Sequence, residues 1–461
     1  MSTSPGASAL TVSQRLSNAL VAIDPDRLPA AVLERAAQLL LDCSGLCVAA
    51  RRMDYVQALV ASCADAPGRC SAIGHPGRVD PYSAALINGT AIHGEDFDDT
   101  FEGGIVHSGA VVVPAVLAAC EQHGRDGRAM RAGMVAGLET MCRLSLVAPK
   151  RIHTAGFHPT SVLGHIAATA AAGVALGLDA RQLASAFGIA SSFAGGVIEY
   201  LADGSWTKRM HPGWAAQAGL RAAAMARHGY FGPQTAFEGV HGLFNGFAHS
   251  RDVAFTELVD GWDDRWHCAD IAFKPYACGT MAQPYIDCAL RLAARGVRHE
   301  DVVAIDCETA EGYVHRLWDP LPLKQRPPNA YAAKFSLPYI IATAWVKRNA
   351  GLGAFTDAAV HDPAVLALAA KVRYTVDPAN PYPKVITGHL GVELRDGSRI
   401  DERQPYLRGG VNAPLTQADL EAKFSLNCAY GGLDAAASAG LRAFAAGAFA
   451  AAGAPSVPAF A

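Results

Sequence analysis

Five short segments of this chain concentrate side chains able to move protons or hold anions. The densest runs from Asn88 to Gly109, NGTAIHGEDFDDTFEGGIVHSG, and sets Asp96, Asp98, Asp99, Thr100 and His107 among five glycines. Glycine lets backbone approach a ligand closely, while carboxylate and imidazole are the common groups of acid–base chemistry. If this stretch is helical, Asp96 and Thr100 stand at i and i+4 and share a face. A solvated acidic loop is the plainer alternative. A divalent-metal site is a further one, but the spacing fits neither an EF-hand nor H-E-x-x-H.

The second segment, Gly156 to Ser161 (GFHPTS), puts His158 before a proline and a Thr-Ser pair that open an Ala-rich helix. An imidazole at a helix N-terminus feels the positive end of the dipole, which disfavours imidazolium and attracts anions. That suits a neutral general base or a carboxylate pocket, although a capping or packing histidine fits equally well. In the third, Asp203 to Gly213 (DGSWTKRMHPG), Lys208, Arg209 and His211 follow Trp206. A cationic loop between apolar helices can receive carboxylates, and an enclosed lysine can exchange protons. Solvated surface is the alternative there.

The fourth segment, Ile271 to Gln283 (IAFKPYACGTMAQ), carries Lys274, Tyr276 and Cys278, and the fifth, Ala333 to Tyr339 (AKFSLPY), carries Tyr339 at a helix start. No catalytic signature surrounds Cys278, so a buried structural thiol is the expectation. Tyr339 could bring a phenol to a cleft or simply pack. The chain has no G-x-G-x-x-G after a strand, no G-x-x-x-x-G-K-[ST] and no G-x-S-x-G, which argues against dinucleotide, NTP and hydrolase-elbow sites.

The elements that must position these segments are mainly helical. Ala, Leu, Val and Gly recur at helical spacing over Pro29–Ala49, Ala110–His123, Ser161–Leu176, Arg181–Ala194 and Trp214–His228, predicting a tight helical bundle. After about Ala269 the texture changes. Asp301–Thr309 and Val385–Leu394 alternate as strands, the second before a hairpin-type Asp396-Gly397 turn. Arg403–Gly410 reads as loop, a capped helix follows Thr416, and Pro455–Ala461 reads as a frayed or packed tail. The expected division is a helical domain over residues 1–268, rejoined by 405–461, and a smaller α/β domain over 269–404.

With 461 residues the chain is long enough for two domains, and 39 Lys and Arg against 42 Asp and Glu give a formal charge of −3. No basic footprint for nucleic acid or an anionic membrane is visible. The 11 cysteines are scattered without a C-x-x-C pair, which fits a reducing cytoplasm rather than a disulfide framework. Met1–Leu20 lacks the features of a secretory signal, and no uncharged apolar run reaches the ~20 residues that span a bilayer. The expectation is a cytoplasmic protein with no membrane and no nucleic-acid partner.

Taken in order, HGEDFDDT with HSGAVVVPA, GFHPTSVLG, TKRMHPGWAAQAG, KPYACG and AKFSLPY are similar to the motifs of the MmgE/PrpD family. The likeness extends from about Leu16 to Leu441. It implies a homodimer whose subunits pair a large helical domain with a smaller α/β lid around a cleft. It also implies carbanion chemistry beside carboxylates without metal or organic cofactor, as in 2-methylcitrate dehydratase, cis-aconitate decarboxylase and iminodisuccinate epimerase. By motif, Asp96 and Thr100 fall at pocket positions, and His107, His158, Lys208, Lys274 and Tyr339 at proton-transfer or substrate-binding positions. One departure stands out. The decarboxylase branch has a histidine five residues after the KPY-type lysine, where this chain has Gly279, and Gln283 fills a later polar position.

The expected reaction is therefore removal of a proton α to a carboxylate of a small di- or tricarboxylic acid, with an epimerase-like or dehydratase-like outcome. His158, Lys208, His107 and Tyr339 carry the catalysis, while Asp96, Thr100, Lys274 and Arg209 bind substrate. A cis-aconitate-type decarboxylase, a non-catalytic carboxylate binder on the same fold, and a metal-dependent lyase using Asp96, Asp98 and Asp99 are the alternatives.

Overall fold

The computed structural model describes residues 9–104, 106–262 and 264–460. Residues 1–8, part of the stretch read above for a secretory signal, lie outside the described residues, as does Ala461 of the tail. The chain divides into two compact units. One takes the residues up to Gly94, Phe101–Ile271 and the chain from Leu420; the other takes Glu95–Thr100 and Ala272–Asp419. The fold is mainly helical with a small sheet.

In the helical unit the apolar periods become the helices Ala30–Ala50, Pro81–His93, Gly109–His123, Gly127–Val147, Pro159–Leu176, Ala180–Phe193 and Thr207–Arg227. Pro159–Leu176 carries no Asp, Glu, Lys or Arg and is buried on nearly every side, the pattern of a helix surrounded by others. It is long and apolar enough to cross a membrane by composition, yet 89% of it is buried inside the fold. Small residues permit the close approach: a β-carbon on Gly137 would stand 2.6 Å from that of Ala171, and one on Gly219 would stand 2.5 Å from that of Ala168. Bulkier residues here would separate the helices.

The second unit holds a four-stranded mixed sheet in the order Val372–Val376, Val302–Thr309, Gly388–Leu394, Arg399–Gln404. The first pair is parallel and the other two antiparallel. Asp396-Gly397 makes the expected hairpin turn, with Gly397 at φ 82°. Arg403 and Gln404, expected in a loop, instead belong to the last strand, paired opposite His389 and Gly388. Behind the sheet, Tyr285 donates to the Glu308 carbonyl at 2.8 Å and Trp318 Nε1 donates to Thr309 Oγ1 at 2.9 Å.

Three stretches fall in the other unit from the one the sequence predicts, the shortest being residues 269–271, which belong to the helical unit. Residues 405–419 belong to the second unit, because Phe273 N–H donates to the Gly409 carbonyl at 3.1 Å and Arg408 pairs with Asp419 at 3.2 Å. Glu95–Thr100 also belongs there, held by ion pairs from Lys274 to Asp96 and from Lys334 to Glu95. The helix after Thr416 forms as expected, with Thr416 and Asp419 capping one another. The C-terminal tail is not frayed where described: Val457 is buried and its carbonyl accepts from Arg78. All 11 cysteines are free thiols.

Candidate functional site

His158 occupies the N-cap position of the Pro159–Leu176 helix, with Pro159 as first helical residue. Proline suits that place because its missing N–H is one that the helix start leaves unpaired. Thr160 is thus inside the helix, and its hydroxyl accepts the His107 backbone N–H at 3.3 Å, tying His107 to the same helix start. The Gly195-Gly196 turn closes over this point: His158 N–H donates to the Gly196 carbonyl at 2.8 Å.

The Lys208 segment is not a loop. It forms the opening turns of the Thr207–Arg227 helix, with Pro212 inside it. Lys208 and His211, three residues apart, share one face, while Arg209 turns away and stacks over the Tyr55 ring at 4.4 Å. This helix meets Pro81–His93 at Gly213 and Gly89, where a β-carbon on Gly89 would stand 2.5 Å from the Gly213 α-carbon.

These constraints gather four imidazoles in the helical unit. The ring centres of His93 and His107 lie 4.8 Å apart, those of His93 and His158 5.6 Å, and those of His158 and His211 5.4 Å. His158 Nδ1 and His211 Nδ1 are 3.2 Å apart, a hydrogen bond. Tyr200 flanks both rings, at 6.3 and 5.9 Å between centres. All four histidines, Lys208 and Tyr200 are buried. Burial first, then the charges of His93, Lys208, His211 and His107, holds His158 well below the usual imidazole range. Burial, with His93, Lys208 and His165, brings His211 to about 4. Both are therefore neutral at pH 7, the form that accepts a proton.

The second unit holds Asp96, Thr100, Lys274 and Tyr339. Asp96 sits in the left-handed region at φ 54°, so the shared helical face expected for Asp96 and Thr100 does not form. The physical reason is a pair of buried lysines. Lys274 Nζ binds Asp96 Oδ1 at 2.5 Å and its carbonyl at 3.1 Å; Lys334 Nζ binds Glu95 Oε2 at 3.0 Å and its carbonyl at 2.8 Å. Ammonium groups that coordinate both carboxylate and carbonyl override local helix preference. Thr100 is fully buried, and its hydroxyl makes no hydrogen bond among the described residues. Tyr339 is also fully buried, but its hydroxyl donates to the Ala354 carbonyl at 2.9 Å.

The structure thus brings His107, His158 and Lys208 together and leaves Arg209 on Tyr55. Sequence reading missed His93, which precedes the acidic run, and underused His211; the i,i+3 spacing from Lys208 would have exposed it had the segment been read as helix. A hollow of about 290 Å³ lined by Leu20, Arg125, Val174 and Gly177 is a different place. It lies at the far end of the Pro159–Leu176 helix, roughly 27 Å along the axis from His158. Gly279 packs on Phe335, whose ring would be 3.3 Å from an added β-carbon, and the Gln283 amide donates to the Tyr276 and Cys278 carbonyls.

Residues 14–256 match the MmgE/PrpD N-terminal domain and residues 276–441 the MmgE/PrpD C-terminal domain. Among similar proteins, the cis-aconitate decarboxylase of Aspergillus terreus is 28% identical, over 85% of this chain and 84% of its own. The human cis-aconitate decarboxylase is 28% identical over 76% and 73%, and the mouse one 30% identical over 76% and 72%.

Proposed function

We propose, for a chain that belongs to the MmgE/PrpD family, that the imidazole cluster moves a proton at the carbon next to a carboxylate of a small di- or tricarboxylic acid. The family makes it an enzyme of the dehydratase and decarboxylase type. The observation that carries the reading is His158: a neutral imidazole at a helix N-terminus beside a buried ammonium. His158 removes the α-proton. Lys208 and the helix start stabilise the enolate-like charge that develops, usually the largest contribution to such catalysis. His107 returns a proton or assists a leaving hydroxyl, a task Tyr339 is poorly placed to share because its hydroxyl is committed to Ala354.

Asp96, Thr100, Lys274 and Arg209 are proposed to serve substrate binding. Thr100, with a buried hydroxyl lacking a hydrogen bond among the described residues, supports a direct contact. The others act through the partners they already hold, Lys274 on Asp96 and Arg209 on Tyr55. Nothing in these steps calls for a metal or an organic cofactor. The homodimer implied by the family belongs to the proposal; sedimentation at twice the chain mass would support it, and sedimentation at the mass of one chain would refute it.

Loss of a β-hydroxyl yields an unsaturated acid and water; return of the proton to the opposite face yields the epimer. The names of the relatives favour a second reading, loss of CO₂ followed by protonation of the carbon. Gly279, packed on Phe335 in place of the histidine of the decarboxylase branch, speaks for the first. NMR in D₂O with 2-methylcitrate, cis-aconitate, iminodisuccinate and tartrate-like acids tests the shared step. Deuterium should enter at the α-carbon, and His158→Ala and Lys208→Ala should abolish this while circular dichroism stays unchanged. Near-normal exchange in both variants sinks the assignment, and binding without exchange points to a non-catalytic carboxylate binder.

A further inference from the structure

We propose that His211 is a positioning residue that sets the tautomer of His158 through one proton shared between their Nδ1 atoms, so that the pair always presents one bare and one protonated Nε2. This rests on His158 being the proton acceptor of the reaction, and adds how a ring so unsuited to positive charge can take up a proton.

Two Nδ1 atoms 3.2 Å apart cannot both carry hydrogen, and two bare ones would set lone pair against lone pair. With both rings neutral, one donates and one accepts. When the shared proton is on His158, His158 Nε2 is bare and basic, and His211 carries its own proton on Nε2. The contact is built rather than incidental. The Gly196 carbonyl holds the His158 N–H at 2.8 Å, and a β-carbon on Gly196 would meet Ser161 Oγ at 2.5 Å and His211 Nδ1 at 3.3 Å. Only glycine, here at φ 114°, leaves this space.

The surroundings disfavour an imidazolium from every side. His93 at the end of the Pro81–His93 helix, His107 before Gly109–His123, His165 within Pro159–Leu176, and Lys208 on the His211 helix all act on the pair, and Tyr200 flanks it without charge. A relay avoids the charge. The substrate C–H bond breaks and its proton bonds to His158 Nε2, while the His158 Nδ1 proton passes to His211 Nδ1. The His211 Nε2 proton leaves to water. Both rings finish neutral with tautomers exchanged, and the reverse shift resets them.

The test uses the full chain labelled with ¹⁵N-histidine. In the unaltered protein at pH 7, His158 and His211 should give the nitrogen shifts of two neutral rings in opposite tautomers. His211→Phe removes the partner. It should move the His158 tautomer population and lower kcat for α-proton exchange by about 100-fold, a usual share for acid–base assistance, with KM little changed. His211→Gln, whose amide can donate or accept, should recover part of the loss and guards against misreading a folding defect. An unchanged His158 spectrum in His211→Phe, or a kcat within about threefold of the parent, overturns the proposal. Should the parent exchange no tested acid, the reading of function fails while the nitrogen shifts still decide the tautomer pairing.

Discussion

Gly89 and Gly213 face each other where two helices cross, so closely that a β-carbon on Gly89 would stand 2.5 Å from the Gly213 α-carbon. One helix ends at His93 and the other opens with Lys208 and His211. The crossing therefore sets the spacing of the buried side chains of His93, Lys208 and His211, which are far apart in sequence.

Gly213→Ala is expected to force these helices apart, since its added methyl meets the Leu86 carbonyl and Thr90. Overpacking of this kind costs about 1–3 kcal/mol. Thermal unfolding should show a lower Tm, and α-proton exchange should fall more than the stability loss explains. Equal Tm in variant and parent would contradict the close crossing.

The ion pair between Lys274 and Asp96 is buried on both sides and shapes the acidic segment. Removing one member leaves the other charge stranded, which costs about 3–5 kcal/mol, whereas removing both is milder. Lys274→Met should thus be more destabilised by denaturant titration than Lys274→Met combined with Asp96→Asn. Additive losses in the double variant would show that the pair does not act as a unit.

Much of this was readable from the residues. Apolar spacing located the long helices, and the Asp396-Gly397 turn located a hairpin. Composition could not show that TKRMHPG is helical, because Pro212 argues locally against it and packing at Gly213 decides. Nor could it show that Asp96 adopts a left-handed conformation, which two lysines about 180 and 240 residues away impose. His93 escaped notice for a related reason: its neighbours in space, His107 and His158, come from other elements. Contacts distant in sequence leave no local period to read.

His93 and His107, with ring centres 4.8 Å apart, present two imidazoles, the side chain that most often binds transition metals. The proton-transfer reading needs none. Dialysis against a strong chelator should leave α-proton exchange unchanged, with elemental analysis showing no stoichiometric transition metal. Loss of exchange that added Zn²⁺ or Mn²⁺ restores would replace the reading with a metal-dependent lyase.

The buried imidazoles also make stability depend on pH. His165 lies fully inside the bundle, its Nδ1 donating to the Ser161 carbonyl at 2.8 Å, and burial lowers it to about 4. His211 is lowered to about 4 as well. As pH falls below the ordinary histidine value near 6.5, the unfolded chain gains protons on these rings and the folded chain does not. Stability should thus be fully present above about pH 6.5 and fall on acidification until the folded rings themselves titrate near 4. Each ring contributes a loss of about 2 kcal/mol between pH 6.5 and pH 5. His165→Leu removes one titrating group from the unfolded side. Its Tm should drop less than that of the parent between pH 7 and pH 5, whatever the variant's Tm at pH 7. Parallel Tm profiles for the two proteins would mean that His165 takes up its proton in the folded state as readily as in the unfolded one.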